Sequence, residues 1–411
     1  MKFTLNTQIL LGAIVGVIVG VFLNFAGSSN AFYGSTIYGC EIAGGIFIDL
    51  LKMILIPLVF TSITVGIANL RAHAQMDHVW KSALVYFIST TAIAVLLGMV
   101  VVNVFRPGVG LEVTLFQDAM STFTAESMNL AQFIKTFLAN IFMNPIAAMA
   151  QGKVLPTVIF ALLLGVALVI AGDKKAAGIL SLFNEFFELI MMMVGWIMRI
   201  APVGIMALLI KLIATQDVTL LSALGKFIMV VAGATLFHGF VILPTILFLV
   251  TRVSPAYFFT GIREALVTAF STSSSSATLP ITLRCVEENL KVDKDVAGFV
   301  LPLGATINMD GTALYEAVAA LIVANIMGID LNIIQQLIVF FTAIIAAIGA
   351  PGIPSAGMVT MVMVLQSVGL PVEAIAILLP IDRILDAVRT TVNVEGDAVG
   401  SMIVQKYISC K

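Results

Sequence analysis

From Asn332 to Gln366 the chain carries no charged side chain, yet the middle of this stretch reads Gly349-Ala350-Pro351-Gly352-Ile353-Pro354. Proline removes a helical hydrogen bond and glycine weakens the helix, so such a run stops one. A segment this apolar belongs in a bilayer, where irregular backbone is tolerated only inside protein or beside a cavity. The stretch therefore predicts a re-entrant hairpin over 332–367 with the Gly/Pro run at its tip. A second interrupted segment, Pro255–Asn289, is only moderately apolar and holds Ser271-Thr272-Ser273-Ser274-Ser275-Ser276. It predicts another hairpin, over 255–289.

A charged helix follows each hairpin. Leu301–Ala324 reads LPLGATINMDGTALYEAVAALIVA and Pro380–Val404 reads PIDRILDAVRTTVNVEGDAVGSMIV. An ionised side chain at mid-bilayer costs at least ~3 kcal/mol on insertion scales, so these residues line a protein interior or a solute path. At ~100° per residue, Asp382, Arg383, Asp386, Arg389, Thr390, Asn393 and Asp397 share about one third of the helix circumference. This polar stripe implies a buried site for a charged solute, accompanied by cations. The two charged helices share a pattern, Asn308-Met309-Asp310-Gly311-Thr312 against Asn393-Val394-Glu395-Gly396-Asp397. Hairpin plus polar helix, occurring twice, is the arrangement of a structural repeat, and paired interrupted segments point to a transporter's binding site.

The rest of the chain fits a polytopic membrane protein. Of its 411 residues 60% are hydrophobic and 11% charged, with mean hydropathy +1.11; soluble domains carry about 25% charged residues. At ~20 residues per span there is room for about eight transmembrane helices besides the hairpins. Apolar runs lie near 9–25, 43–70, 82–105, 130–171, 177–212 and 219–251, with charged helices over 295–327 and 371–408. Basic residues place Lys2, the Arg71–Lys81 loop, Lys174-Lys175, the Arg252–Lys294 region and Lys406/Lys411 on one side, taken as cytoplasmic. The hairpins then enter from opposite sides, as an inverted repeat requires. A net charge of −2 leaves no nucleic-acid footprint, and the three scattered cysteines suggest neither a disulfide framework nor a metal site.

Five motifs carry a resemblance over essentially the whole chain: Leu50–Phe60 (LLKMILIPLVF), Ser271–Pro280 (STSSSSATLP), Gly304–Ala317 (GATINMDGTALYEA), Gly349–Gly357 (GAPGIPSAG) and Asp386–Asp397 (DAVRTTVNVEGD). The chain resembles the glutamate transporter family, the dicarboxylate/amino acid:cation symporters that include animal excitatory and neutral amino acid transporters. This family supplies a known case of inverted-topology repeats. The resemblance implies a homotrimer in the cell membrane, multi-pass, surrounded by lipid, with a scaffold and a transport domain that moves like an elevator. It assigns residues 1–72 to the first two helices, 73–129 to a transport helix and loop, 130–215 to scaffold helices, and 216–411 to the transport core. The implied activity is sodium-coupled symport of L-aspartate or L-glutamate, with sodium as coupling ion and no other cofactor.

Residue by residue, the resemblance implies a substrate site of Ser273, Ser274, Ser275, Thr312, Ile353, Pro354, Gly357, Asp386, Arg389, Thr390 and Asn393. Asp386 suits an amine, the serine tip suits an α-carboxylate, and the planar fork of Arg389 suits a side-chain carboxylate. One implied sodium site uses Asp310, Asn308, Thr90 and Thr91; a second uses Asp397 with carbonyls around Asn308 and Asn393; a third uses Thr306 and Met309. Gly304 adds a backbone position. For Glu316, two turns beyond Asn308, the resemblance leaves two readings open: a proton carrier, as in the animal members with a glutamate here, or a structural carboxyl hydrogen-bonded within the transport domain. The chain departs from the pattern at Phe87, Ser273 and Ala387, where many members carry tyrosine and, in one or other of the last two, arginine; Arg383 is a candidate substitute.

Glu395 lies opposite the stripe, and His238 is read as a packing residue. An intramembrane serine hydrolase lacks support, since no G-x-S-x-G elbow occurs and no His or Lys sits beside the serines. A plain channel accounts for buried charge but not for a carboxylate–arginine pair suited to an amino acid. Among transported solutes, Arg389 argues against neutral amino acids and Asp386 against C4-dicarboxylates.

Overall fold

The computed structural model describes residues 5–27, 32–69, 77–109, 142–215, 218–350, 352, 356–371 and 374–409. Among these the regular structure is all helical. In chain order the helices are α1 (Leu5–Ala26), α2 (Tyr33–Asn69), α3 (Asp77–Phe105), α4 (Pro145–Ala150), α5 (Val154–Ala171) and α6 (Asp173–Thr215). They continue with α7 (Val218–Phe237), a π-helical turn His238–Ile242, α8 (Leu243–Thr251), α9 (Pro255–Thr272), α10 (Ser275–Arg284) and a second π turn Cys285–Asn289. The last five are α11 (Lys294–Ile307), α12 (Asp310–Ile326), α13 (Ile333–Gly349), α14 (Ala356–Ser367) and α15 (Ile375–Ser409).

Six helical runs among the described residues are long and apolar enough to cross a membrane, and α5 and α13 contribute shorter apolar helices. The run over 130–171 begins outside the described residues; within it, Asn144 caps α4 by accepting from the Ile146 and Ala147 amides, and the chain turns at Gly152 with φ +67° before α5.

Packing falls into two sets. Helices α1, α2, α5 and α6 lie chiefly against one another. Glycines of α1 make this possible: a Cβ on Gly12 would lie 2.5 Å from the Pro202 carbonyl oxygen, and one on Gly16 2.8 Å from that of Met206. Helix α3, the α7–α8 run, and α9–α15 form the other set, with α3 against α12 and α15. The buried centre of this second set is the α11–α12 run, whose apolar span is wholly enclosed.

Both hairpins take the helix–tip–helix form, α9/α10 and α13/α14. The first turns at Ser273, which adopts left-handed φ +51°, and Ser274, whose side chain caps α10 by accepting from the Ala277 amide at 3.1 Å. The second starts with a capping box of Asn332 and Gln335.

One expectation fails. The segment over 295–327 is not a single helix: it breaks at Asn308 (φ −92°, ψ 94°) and Met309 (φ −125°, ψ 50°). Apolar counting reads through such a break because the interruption is set by tertiary partners. Asn308 Nδ2 donates to the Asn393 carbonyl at 3.2 Å and to Asp397 Oδ1 at 2.8 Å, across to α15.

Candidate functional site

The broken strand of backbone between α11 and α12 crosses the middle of α15, and the polar residues of both helices collect there. Gly311 N–H donates to Asn393 Oδ1 at 2.8 Å, while Asn393 Nδ2 donates to Thr312 Oγ1 at 3.2 Å and approaches Met309 Sδ at 3.3 Å. The helices approach this closely because position 311 has no side chain: a Cβ there would lie 2.7 Å from the Arg389 carbonyl oxygen. Every described substrate-site candidate with a side chain is buried, Thr390 included.

Arg389 is fully buried. Its Nη2 donates to Asp382 Oδ1 at 2.8 Å and to Asp386 Oδ1 at 2.9 Å, and its guanidinium lies 3.8 Å from the Tyr315 ring centroid. Nε and Nη1 have no partner among the described residues. Nη1 lies on the side of Gly357, where a Cβ would be 3.5 Å from it and 3.0 Å from Thr312 Cγ2. The fork is thus held from behind by two carboxylates and a ring, with two donors left for an acceptor beside Gly357 and Thr312. Asp386 Oδ2 also accepts from Arg383 Nη1 at 3.2 Å.

The hairpin tips touch. Ser274 Oγ donates to the Gly352 carbonyl at 2.6 Å, and the Ser276 amide donates to the same oxygen at 3.1 Å. Ser273 and Ser275 are buried beside this contact. Ile353 and Pro354 lie outside the described residues.

Two carboxylates sit deeper. Asp310 Oδ1 accepts from Thr91 Oγ1 at 2.6 Å and from Thr90 Oγ1 at 3.3 Å, so α3 and α12 bring the three residues together. Asp310 Oδ2 lies 2.9 Å from His238 Nε2. Thr90 Oγ1 also reaches the Tyr86 and Phe87 carbonyls, both at 3.2 Å. Asp397 is bound by Asn308, whose own Oδ1 is buried without a partner among the described residues, a lone acceptor of the kind a cation takes. Gly304 and Gly396 leave the room: a Cβ on Gly304 would overlap Asp397 Oδ1, and one on Gly396 would lie 2.6 Å from Asn308 Nδ2. The Thr306 hydroxyl donates its proton within its own helix, to Leu303 O at 2.9 Å, and its oxygen keeps its acceptor capacity.

Sequence reasoning left three of these neighbours without a role. Asp382 belonged to the stripe, and its i,i+7 relation to Arg389 was the signal for the contact. His238 reaches Asp310 from a π turn, which period-3.6 reading does not produce; Pro244, lacking an amide N–H, follows the turn. Tyr315 is visible only as an aromatic inside an apolar helix. Glu395 packs at this level too, against Gly239 of the π turn.

The sodium:dicarboxylate symporter family matches residues 5–407. The chain belongs to that family. Among its relatives, excitatory amino acid transporter 1 of Ambystoma tigrinum is 35% identical over 457 aligned positions, covering 98% of this chain and 83% of the relative. Human excitatory amino acid transporter 2 is 36% identical over 456 positions, covering 98% and 79%. Human neutral amino acid transporter B(0) is 35% identical over 430, covering 97% and 79%. Members of the sodium:dicarboxylate symporter family are multi-pass membrane transporters and not enzymes, and sodium is their coupling ion.

Tip contact gives a direct expectation. A Cβ on Gly352 would lie 2.5 Å from Ser276 Oγ and 2.8 Å from the Ala305 carbonyl oxygen. Overpacking of this kind costs ~1–3 kcal/mol, so Gly352→Ala shifts the tips apart by roughly 5–150-fold in population. Thiol labelling of Ala305→Cys, a position 3% exposed, is expected to speed up in the Gly352→Ala background. Equal labelling rates in both backgrounds dismiss the tip contact as a closure.

Proposed function

We propose that this chain is a sodium-coupled secondary active symporter of the acidic amino acids L-aspartate and L-glutamate. The observation that carries the reading is Arg389, a buried guanidinium whose Nε and Nη1 have no partner among the described residues, Nη1 lying on the side of Gly357. Asp386 takes the substrate amine, Arg389 the side-chain carboxylate, and Asn393, Thr312, Thr390 and the Ser273–Ser275 tip the backbone carboxylate and amine. A neutral substrate leaves Arg389 unmatched, and a C4-dicarboxylate leaves Asp386 without an ammonium. One methylene is worth only ~1–3 kcal/mol, so both acidic amino acids fit.

Sodium binds at Asp310 with Thr90, Thr91 and Asn308, at Asp397 with carbonyls near Asn308 and Asn393, and at Met309 and Thr306. The second hairpin is the outer gate, and its tip closes on the first hairpin. The second packing set, α3 with α7–α15, moves as a transport domain against α1, α2, α5 and α6, in a homotrimer within the lipid bilayer. Two internally packed sets support this division.

The deciding experiment is uptake of radiolabelled aspartate, glutamate, alanine and succinate into proteoliposomes under separate sodium, proton and potassium gradients. Concentrative, sodium-driven uptake of the first two is expected; uptake of alanine or succinate instead overturns the reading.

Proton coupling belongs to Glu316. It is fully buried; its Oε1 accepts from the Thr360 hydroxyl, and Oε2 has no partner among the described residues. Substrate and proton then load together and the proton leaves on the return step. Glu316→Gln is expected to abolish transport-linked pH change while sodium-driven exchange survives. Wild-type uptake that moves no protons reduces Glu316 to a structural hydrogen bond with Thr360.

A further inference from the structure

On the side of α15 opposite the substrate stripe, the π turn that follows α7 meets Glu395, and three oxygens there lack their ordinary partners. The first is on Glu395 itself, 3% exposed, whose Oε1 has no partner among the described residues. Its carboxylate fills the space that a side chain at position 239 would take: a Cβ on Gly239 would lie 2.9 Å from Glu395 Oε2. The second is the Gly239 carbonyl. Its regular donor is the amide of residue 243 in an α-helix and of residue 244 in a π turn. The Leu243 amide is spent on the His238 carbonyl, and residue 244 is proline, which has no N–H. Neither regular donor remains. The third is Thr235 Oγ1. Thr61, Thr64 and Thr157 each donate to the carbonyl four residues back, whereas the Thr235 hydroxyl is buried with no partner among the described residues. Thr235 precedes Gly239 by four residues and shares its helix face.

Charge decides what such oxygens hold. Glu395 feels the field of Asp310, and Tyr86 of α3 lies within electrostatic reach of Asp310, Glu395 and Asp397 together. Among the described residues no lysine or arginine pairs with any of the three. His238 turns Nε2 to Asp310, and its Nδ1 reaches no acceptor among the described residues. A buried carboxylate is retained as an ion only where a cation or several hydrogen bonds meet it. The sodium sites proposed above serve Asp310 and Asp397 and leave Glu395 without a counter-charge. That count rests on the transport reading; the oxygen set at Gly239 does not.

We propose that the Glu395 carboxylate, the Gly239 carbonyl and the Thr235 hydroxyl hold a monovalent alkali cation, at a site separate from those of Asp310 and Asp397. All three donors are oxygens, which hard cations select. Carbonyls released where a membrane helix unwinds are the ones that coordinate such ions. A single carboxylate balances a single positive charge, which favours a monovalent ion over calcium or magnesium. The π turn and Pro244 then act as one device: together they deny Gly239 its amide donors and hand its carbonyl to the ion.

The test is equilibrium binding of radioactive sodium and, separately, of radioactive rubidium as the potassium analogue, to the full chain in nanodiscs without amino acid. Glu395→Gln is expected to bind one equivalent fewer of one cation, and the isotope that loses it names the ion. Thr235→Val is expected to weaken the same component roughly tenfold. Pro244→Ala returns an amide to the Gly239 carbonyl and is expected to weaken that component as well. Because it removes a proline from a helix, it is also expected to raise the unfolding temperature in cation-free buffer. A merely structural role moves fold and binding together; a ligand role moves them apart in this variant. Glu395→Gln or Pro244→Ala binding both cations as the wild type does overturns the proposal and leaves the carboxylate to a water or a proton. Binding requires no transport, so failure of aspartate uptake leaves the site standing and failure of cation binding here leaves the transport reading standing.

Discussion

Arg389→Cys is expected to lower aspartate and glutamate uptake by well over an order of magnitude and to admit small neutral amino acids. Truncating one partner of a buried charge pair costs ~2–5 kcal/mol, which is roughly thirty-fold to several thousand-fold in affinity. The effect has two parts. The substrate loses its side-chain partner, and Asp382 and Asp386 lose the guanidinium that now lies 2.8 and 2.9 Å away. Arg383, at 3.2 Å from Asp386, is the cation left nearby. Arg389→Lys separates the two parts, since an ammonium keeps the charge but neither the fork nor the planar stacking on Tyr315. It is expected to restore stability better than acidic uptake. Asp382→Asn then tests orientation: it keeps the substrate-facing donors and loosens the hold behind them, so KM for aspartate rises while neutral substrates stay excluded. Unchanged acidic uptake by Arg389→Cys sinks the assignment.

The legible part of this protein was its punctuation and its misplaced charge. Gly349–Pro354 and the serine run announced two hairpin tips, because helix breakers in an apolar segment have few structural solutions. The stripe from Asp382 to Asp397 announced a buried polar face, because ionised groups in lipid have few tolerable positions. What stayed hidden depends on contacts between distant segments. The break at Asn308–Met309 exists because Asn308 serves Asn393 and Asp397 on another helix. The π turn carries His238 to within 2.9 Å of Asp310, an offset that helical periodicity does not contain. Glycines 304, 311 and 396 read as common residues of an apolar chain, yet the first two leave space for Asp397 and Arg389 of α15, and the third, on α15 itself, leaves space for Asn308. Asp382, which holds Arg389 Nη2 from behind, is hard to distinguish by sequence from the Asp386 carboxylate it stands beside.

Neutralising Asp310 and Asp397 gives the second large effect, on sodium rather than on substrate. Both carboxylates are buried, and a buried charge is retained only where a cation or several hydrogen bonds meet it. Asp310 has the Thr90 and Thr91 hydroxyls on one oxygen and His238 on the other. Asp397 has the Asn308 amide, and Asn308 Oδ1 lies buried and unpartnered. Such oxygen sets resemble those hard cations select, and their residues adjoin Thr312 and Asn393, so sodium occupancy and substrate order the same backbone break. Coupling free energies of ~1–3 kcal/mol correspond to roughly 5–150-fold in affinity. Asp310→Asn and Asp397→Asn are isosteric, so each is expected to raise the sodium concentration for half-maximal aspartate binding by a factor in that range. At saturating sodium the aspartate affinity recovers if the variant retains a weakened site, and does not recover if the site is lost. Equilibrium binding of radiolabelled aspartate across a sodium series decides between them. Reciprocity demands the matching result, that aspartate tightens sodium less in the variants than in the wild type. Wild-type sodium dependence in both variants removes these two residues from the coupling.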